Sequence, residues 1–281
     1  MTLLLKTLVG KTAADFAIRN LLIVTILSTA AARLPGEVGA RTSNSGLRGK
    51  LLEEGGKIYF VGDSLTAGEE SFPELIQIVI SSSFPEARIA VVKHGLSGAK
   101  MTRLTEFATE DLQGVHSDAI VVFVQDAGLT DHPLPVWEEA VKSITRVAGK
   151  RKVFLLNEGR GPSWKPGSSI LEGLNEEQWN VYWRKDINPA LFRISEETGA
   201  QLVDYEKTLH HFFTLNPNAD IMHPDGVHLG KGGKLLMALV CLRSLGFAGK
   251  ELNLRAIPLK DDLIQSILQA VFVVTDAAFI K

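Results

Sequence analysis

The chain reads as an α/β protein, a three-layer α/β/α sandwich around a five-stranded parallel sheet with flavodoxin-like strand order. Three observations predict this. Short apolar runs recur five times from residue 57 onward, amphipathic helical stretches fall between them, and no internal repeat is visible. Strands separated by helices pair in parallel through crossovers, with helices covering both faces of the sheet.

The first strand is expected over Ile58–Val61, within the stretch KIYFVGDSLTAG (Lys57–Gly68) around which the rest is organised. Its β-branched and aromatic residues suit a short buried strand. Gly62-Asp63-Ser64 breaks it, with the glycine permitting a sharp turn. A helix near 72–83 follows, marked by Phe72, Leu75, Ile76, Val79 and Ile80. The next strands are expected over Arg88–Val92, Ala119–Val124, Lys152–Leu156 and Gln201–Val203, with helices near 101–112, 134–148 and 175–198 between them. A further helix spans about Gly232–Leu245. Leu259, Leu263, Ile264, Ile267, Leu268 and Val271 then share one helical face, opposite Asp261, Asp262, Gln265 and Gln269. That face suits docking on the body; a membrane or a partner is the other reading.

At 281 residues the chain can bury a substantial core, and 45% hydrophobic residues make it globular. A formal charge of −2 makes no general case for nucleic-acid binding. That balance is uneven along the chain. Seven basic residues against Asp15 and Glu37 leave residues 1–50 at +5, while the other 23 basic and 30 acidic residues leave the remainder at −7. Cys241 is the one cysteine, so there is no intrachain disulfide and no cysteine-based metal site. Its apolar helical neighbours Leu236, Leu239, Val240 and Leu242 mark it as a core thiol.

Three segments are expected: a basic apolar leader and linker over 1–50, the main α/β domain over 51–250, and a C-terminal amphipathic helix and tail over 251–281. Within the leader, Leu21–Ala32 carries no charge between Arg19 and Arg33. As a helix it spans roughly 18 Å, short of a ~30 Å hydrocarbon core. Three readings stay open: a secretory signal ending near Ala30-Ala31-Ala32, an organelle-targeting leader, or a helix packed on the body or another subunit. Secretion or organelle import follows from the first two, a cytoplasmic location from the third. Pro35 to Lys50 has linker composition.

A serine at the carboxyl end of a strand and just before a helix has its hydroxyl at the lip of an open α/β sheet, where ligands bind. Serine alone is a poor nucleophile near neutral pH and requires a base. Asp225-Gly226-Val227-His228-Leu229 supplies one in principle. His228 can take the proton of Ser64, and Asp225, three residues earlier, can hold the other ring nitrogen.

These two blocks together resemble the GDSL, or SGNH, hydrolase family. The resemblance runs over about residues 57–246, with Gly62-Asp63-Ser64-Leu65 matching the nucleophile block and Asp225-Gly226-Val227-His228-Leu229 the Asp/His block. His94-Gly95-Leu96-Ser97-Gly98 is similar to the family's glycine block. The match implies that the Gly98 N–H joins that of Ser64 in an oxyanion hole. His94 stands where an asparagine is common, as a site residue or as a histidine without catalytic duty. Asp63 reads as a brace for the turn.

The third block departs from the family's Gly-x-Asn-Asp. Gln125-Asp126-Ala127-Gly128 puts Ala127 in the asparagine's place, and a three-residue slip to Gly128-Leu129-Thr130-Asp131 puts Thr130 there. Either way the expected amide donor is missing, a loss that typically costs ~10²–10³ in turnover. Gln125 or Thr130 is the expected replacement.

Asn157–Trp183 holds three of the four tryptophans and is the expected source of substrate selectivity. Trp164, in a Gly/Pro-rich stretch, is its substrate-contact candidate. Trp179, Tyr182 and Trp183 have the spacing of a helix's core face. His210, His211 and His223 match no ligand spacing, and no metal is expected; His223 reads as a neighbour of the Asp/His loop.

The resemblance implies a serine hydrolase of carboxylic esters (an esterase, a lipase-like enzyme or a carbohydrate deacetylase), with acyl transfer to an alcohol also open and no cofactor. Its substrate is a small-molecule, carbohydrate or lipid ester, and the apolar terminal segments offer membrane or subunit contacts. The alternative is a non-catalytic or weakened binding or structural protein of the same fold, motivated by the altered third block.

Overall fold

The computed structural model describes residues 44–125, 133–157, 183–224 and 228–273. Five strands form one parallel sheet: β1 (Gly56–Gly62), β2 (Ile89–Gly95), β3 (Ala119–Gln125), β4 (Lys152–Leu156) and β5 (Gln201–Val203). Their order is β2-β1-β3-β4-β5, the flavodoxin-like order predicted. The order reverses at β1, which has β2 on one side and β3 on the other. A crevice opens outside the carboxyl ends of strands at such a switch point.

Side chains alternate across the sheet, so each strand contributes to two separate apolar layers. Ile58, Phe60, Phe123, Phe154 and Leu156 face one side, packed with α3 (Phe72–Ser83), α7 (Tyr205–Leu215), α8 (Lys231–Ser244) and α9 (Asp261–Leu268). Tyr59, Val61, Val122, Val124 and Leu155 face the other, against α4 (Met101–Gln113), α5 (Leu134–Ala148) and α6 (Asn188–Thr198). The register Phe60↔Phe123↔Phe154 places three rings in a row, stacked 4.6 and 4.7 Å apart. Such pairs stabilise by ~1 kcal/mol beyond the area they bury.

Two helices of ten residues or more fall where the sequence predicts none. α1 (Ser45–Glu54) occupies the end of the segment with linker composition, and it is held from outside. Arg48 lies over the Phe84 and Phe247 rings and pairs with Glu251 at 2.5 Å. Asn44 reaches Gln201 and the Ser244 carbonyl. α7 starts at its N-cap Asp204, whose side chain accepts the Lys207 N–H. α8 is buried over most of its girth, including Cys241, between α3 and α9. The last apolar face docks on the body, with Ile264 and Ile267 buried against α8 and α7. No helix among the described residues is long and apolar enough to cross a membrane. Residues 1–43, the greater part of the leader and linker expected over 1–50, lie outside the described residues.

Candidate functional site

β1 ends at Gly62, and Ser64 begins the short helix α2 (Ser64–Ala67). Asp63 is its N-cap and accepts the Leu65 N–H at 3.0 Å, the bracing role its position predicts. Gly62 is needed here for space, not for an unusual φ. A Cβ there would lie 2.4 Å from both Gln125 Oε1 and Thr66 Oγ1. Gly95 meets a similar demand from β2. A Cβ there would lie 2.1 Å from the Ala67 nitrogen, because α2 rests directly on that glycine.

Lys93 fastens the far end of the turn. Its Nζ donates to the Gly68 carbonyl at 2.8 Å and to Ser71 Oγ at 3.1 Å, and it pairs with Glu74 at 2.7 Å. α2 is thereby tied to the start of α3. Leu96 N–H donates to the Gly62 carbonyl at 3.0 Å, which joins the glycine block to the serine block.

His228 arrives on a hairpin-like loop. Met222 and Leu229 form an antiparallel bridge, His223 N–H donates to the His228 carbonyl, and Gly230 N–H to that of Ile221. Ile221, Met222 and Leu229 are buried and anchor this loop to the core. His223 is thus the neighbour of the Asp/His loop that its position suggested. From the start of α8, Lys231 pairs with Glu70 at 3.0 Å and Lys234 donates to the Glu69 carbonyl. Exposed contacts of this kind stabilise little but fix register.

The result is a short contact between distant parts of the chain: His228 Nε2 lies 3.0 Å from Ser64 Oγ. Both side chains are partly accessible, at the carboxyl edge of the sheet. Gly98 follows β2 at the same edge, with φ +70. Among the described residues, the N–H groups of Ser64 and Gly98 have no hydrogen-bond partner.

The Gln125 amide is engaged with the nucleophile turn itself. Nε2 donates to Asp63 Oδ1 at 2.8 Å and Oε1 accepts from Thr66 Oγ1 at 2.7 Å. His94 belongs to β2 and points into the opposite layer. Its Nδ1 is 2.6 Å from Asp111, which also accepts from the Tyr59 hydroxyl at 2.8 Å, and its ring stacks on Phe107. Burial first, then the Asp111 carboxylate, pushes the Tyr59 phenol above its ordinary range. These bonds account for His94 structurally. Asp225, Thr130 and Trp164 lie outside the described residues. A separate open cleft of about 760 Å³ at the carboxyl ends of β4 and β5 is lined by Asn157, Asn188, Phe192, Asp204, Glu206 and His210, and includes neither Ser64 nor His228.

No protein-family model matches the sequence, and no curated protein matches it. Solved structures do match the fold. One is LAE5, an alpha/beta hydrolase enzyme from the metagenome of Lake Arreo, Spain (17% identity, TM-score 0.55, 68% of this chain and 95% of that one). A second, from Parabacteroides merdae, is described as a GDSL-like lipase, with the same identity, TM-score and coverage. A third is a catalytic mutant of Axe2, an acetylxylan esterase from Geobacillus stearothermophilus (19% identity, TM-score 0.53, 69% of this chain and 95% of that one). The chain has the α/β fold that these proteins share.

Proposed function

We propose that the protein is a hydrolase of carboxylic esters that works through an acyl-enzyme on Ser64. The observation that carries this reading is the 3.0 Å approach of His228 Nε2 to Ser64 Oγ at the carboxyl edge of β1. A base within hydrogen-bond reach of a serine hydroxyl is the arrangement that makes serine nucleophilic. The fold shared with esterases and a GDSL-like lipase supports the same class.

In this reading Ser64 Oγ attacks the ester carbonyl carbon while its proton passes to His228 Nε2. The carbonyl oxygen takes the negative charge, and the N–H groups of Ser64 and Gly98 receive it; such donors act most strongly where charge develops. Collapse of the tetrahedral intermediate breaks the bond to the alcohol, which leaves with the proton from His228. Water, deprotonated by His228, then releases the acid and restores Ser64. Asp225 holds the imidazole in the useful tautomer. Thr130 is the remaining side chain proposed for the missing third-block donor, and Trp164 is proposed to contact the substrate. No step calls for a cofactor or a metal.

An acetylxylan esterase among the similar structures makes acetylated sugars the first substrates to try. The test is hydrolysis of p-nitrophenyl acetate, longer acyl esters and a peracetylated xylo-oligosaccharide by wild type and Ser64→Ala. Turnover of at least one ester, lost in Ser64→Ala, is expected. Well-folded protein inactive on all three favours the non-catalytic reading.

A further inference from the structure

We infer that Gln125 is a positioning residue, one that holds the nucleophile turn to β3 through Asp63 and Thr66. The inference deepens the hydrolase reading and rests on it for its kinetic arm.

Three features carry it. Gln125 ends β3, the strand beside β1, and is almost fully buried at 1% exposure, as is Thr66 at 0%. Its amide has a determined orientation. An ionised Asp63 only accepts, so Nε2 must face it, leaving Oε1 for the Thr66 hydroxyl. The two anchor points flank Ser64 on both sides in sequence, at 63 and 66. A side chain with one donor and one acceptor, spaced as in a primary amide, is what this gap requires.

The same Asp63 oxygen that receives Gln125 also accepts the Leu65 N–H. Moving the carboxylate therefore moves the first turn of α2, and with it the Ser64 hydroxyl and N–H. Gly62 belongs to this device, since any larger residue would displace Gln125 and Thr66. A misplacement of about 1 Å in a reacting group can cost about 10²-fold in rate.

The chemistry dictates a distinctive set of variants. Gln125→Glu sets two carboxylates against each other, whereas Gln125→Met keeps the bulk and removes both bonds without adding a charge. Kinetics on p-nitrophenyl acetate are read together with amide hydrogen exchange at Leu65 and Thr66. Gln125→Glu should lower kcat by about 10- to 100-fold with KM within about twofold, and speed exchange at both amides. Gln125→Met should shift both readouts in the same direction and by less than Gln125→Glu. Thr66→Val, which removes the hydroxyl tie alone, should move both readouts in the same direction by less, and thermal melting checks that each variant is folded.

If Gln125 donated to the oxyanion directly, Gln125→Met would lower kcat and leave exchange at Leu65 and Thr66 unchanged, and that result would overturn the inference. So would unchanged kcat and exchange in folded Gln125→Glu. If wild type hydrolyses nothing while exchange follows the expected pattern, the tie stands and the hydrolase reading is what fails.

Discussion

His228 Nε2 sits 3.0 Å from Ser64 Oγ across 164 residues of sequence, and each side chain is held by structure that does not depend on the other. Ser64 is placed by the turn between β1 and α2, clamped by Gln125 and Lys93. His228 is placed by a bridge between Met222 and Leu229 that is rooted in the core. The contact is therefore a product of the fold and should survive conservative changes elsewhere. His228→Ala should leave the melting temperature within a few degrees of wild type and lower kcat by about 10⁴-fold or more. Circular dichroism melts and steady-state kinetics check both halves.

The glycine block separates two kinds of glycine. A Cβ at Gly95 would meet the Ala67 backbone at 2.1 Å, and backbone cannot swing aside as a side-chain end can. A Cβ at Gly98 would meet nothing within 4 Å and bears only the strain of φ +70, about 1–2 kcal/mol. In denaturant melts Gly95→Ala should lose about 3 kcal/mol, clearly more than Gly98→Ala.

Acid should loosen the strap between α2 and α3. Burial acts to raise the Glu74 carboxyl pKa, but the Lys93 ammonium and the Ser71 and Glu70 backbone outweigh it and hold Glu74 below the ordinary carboxylate range. A group whose folded pKa is depressed stabilises above its unfolded pKa and loses that contribution as pH falls through the folded value. Glu74 is partly exposed, so the effect is a few tenths to about 1 kcal/mol. Glu74→Gln should melt below wild type at pH 7, and the gap should close as pH drops beneath the carboxylate range.

Cys241 is fully buried in α8, and burial pushes its thiol above the ordinary range. A thiol that stays protonated and inaccessible does not react. Native protein should leave Ellman's reagent uncoloured over an hour, while protein in denaturant should titrate one thiol per chain.

The longer strands were legible as dense apolar runs, as in Ala119–Gln125, and the three-residue Gln201–Val203 by its place in the alternation of strands and helices. α7 carries a cap in Asp204 and apolar residues at helical spacing in Tyr205, Leu209 and Phe212, but it follows a strand of only three residues, which blurs its start. α1 carries a weak pattern, with Leu51 its one buried residue, and its stability comes from Arg48 and Asn44 reaching distant partners. At the site, the identities of Ser64 and His228 were readable from short motifs. The tie from Gln125 to Asp63 and Thr66 was not, since it depends on which side chains meet across β1 and β3. The reason for Gly62 was hidden likewise: its φ is ordinary, and only the crowding by Gln125 and Thr66 explains it.

The central claim is that Ser64 is an activated nucleophile, and covalent labelling tests it most directly. Wild-type protein treated with a fluorophosphonate probe should gain one adduct, mapped by peptide mass spectrometry to Ser64, and His228→Ala should slow its formation by orders of magnitude. Folded wild-type protein that gains no adduct, or gains it on a residue other than Ser64, would contradict the account.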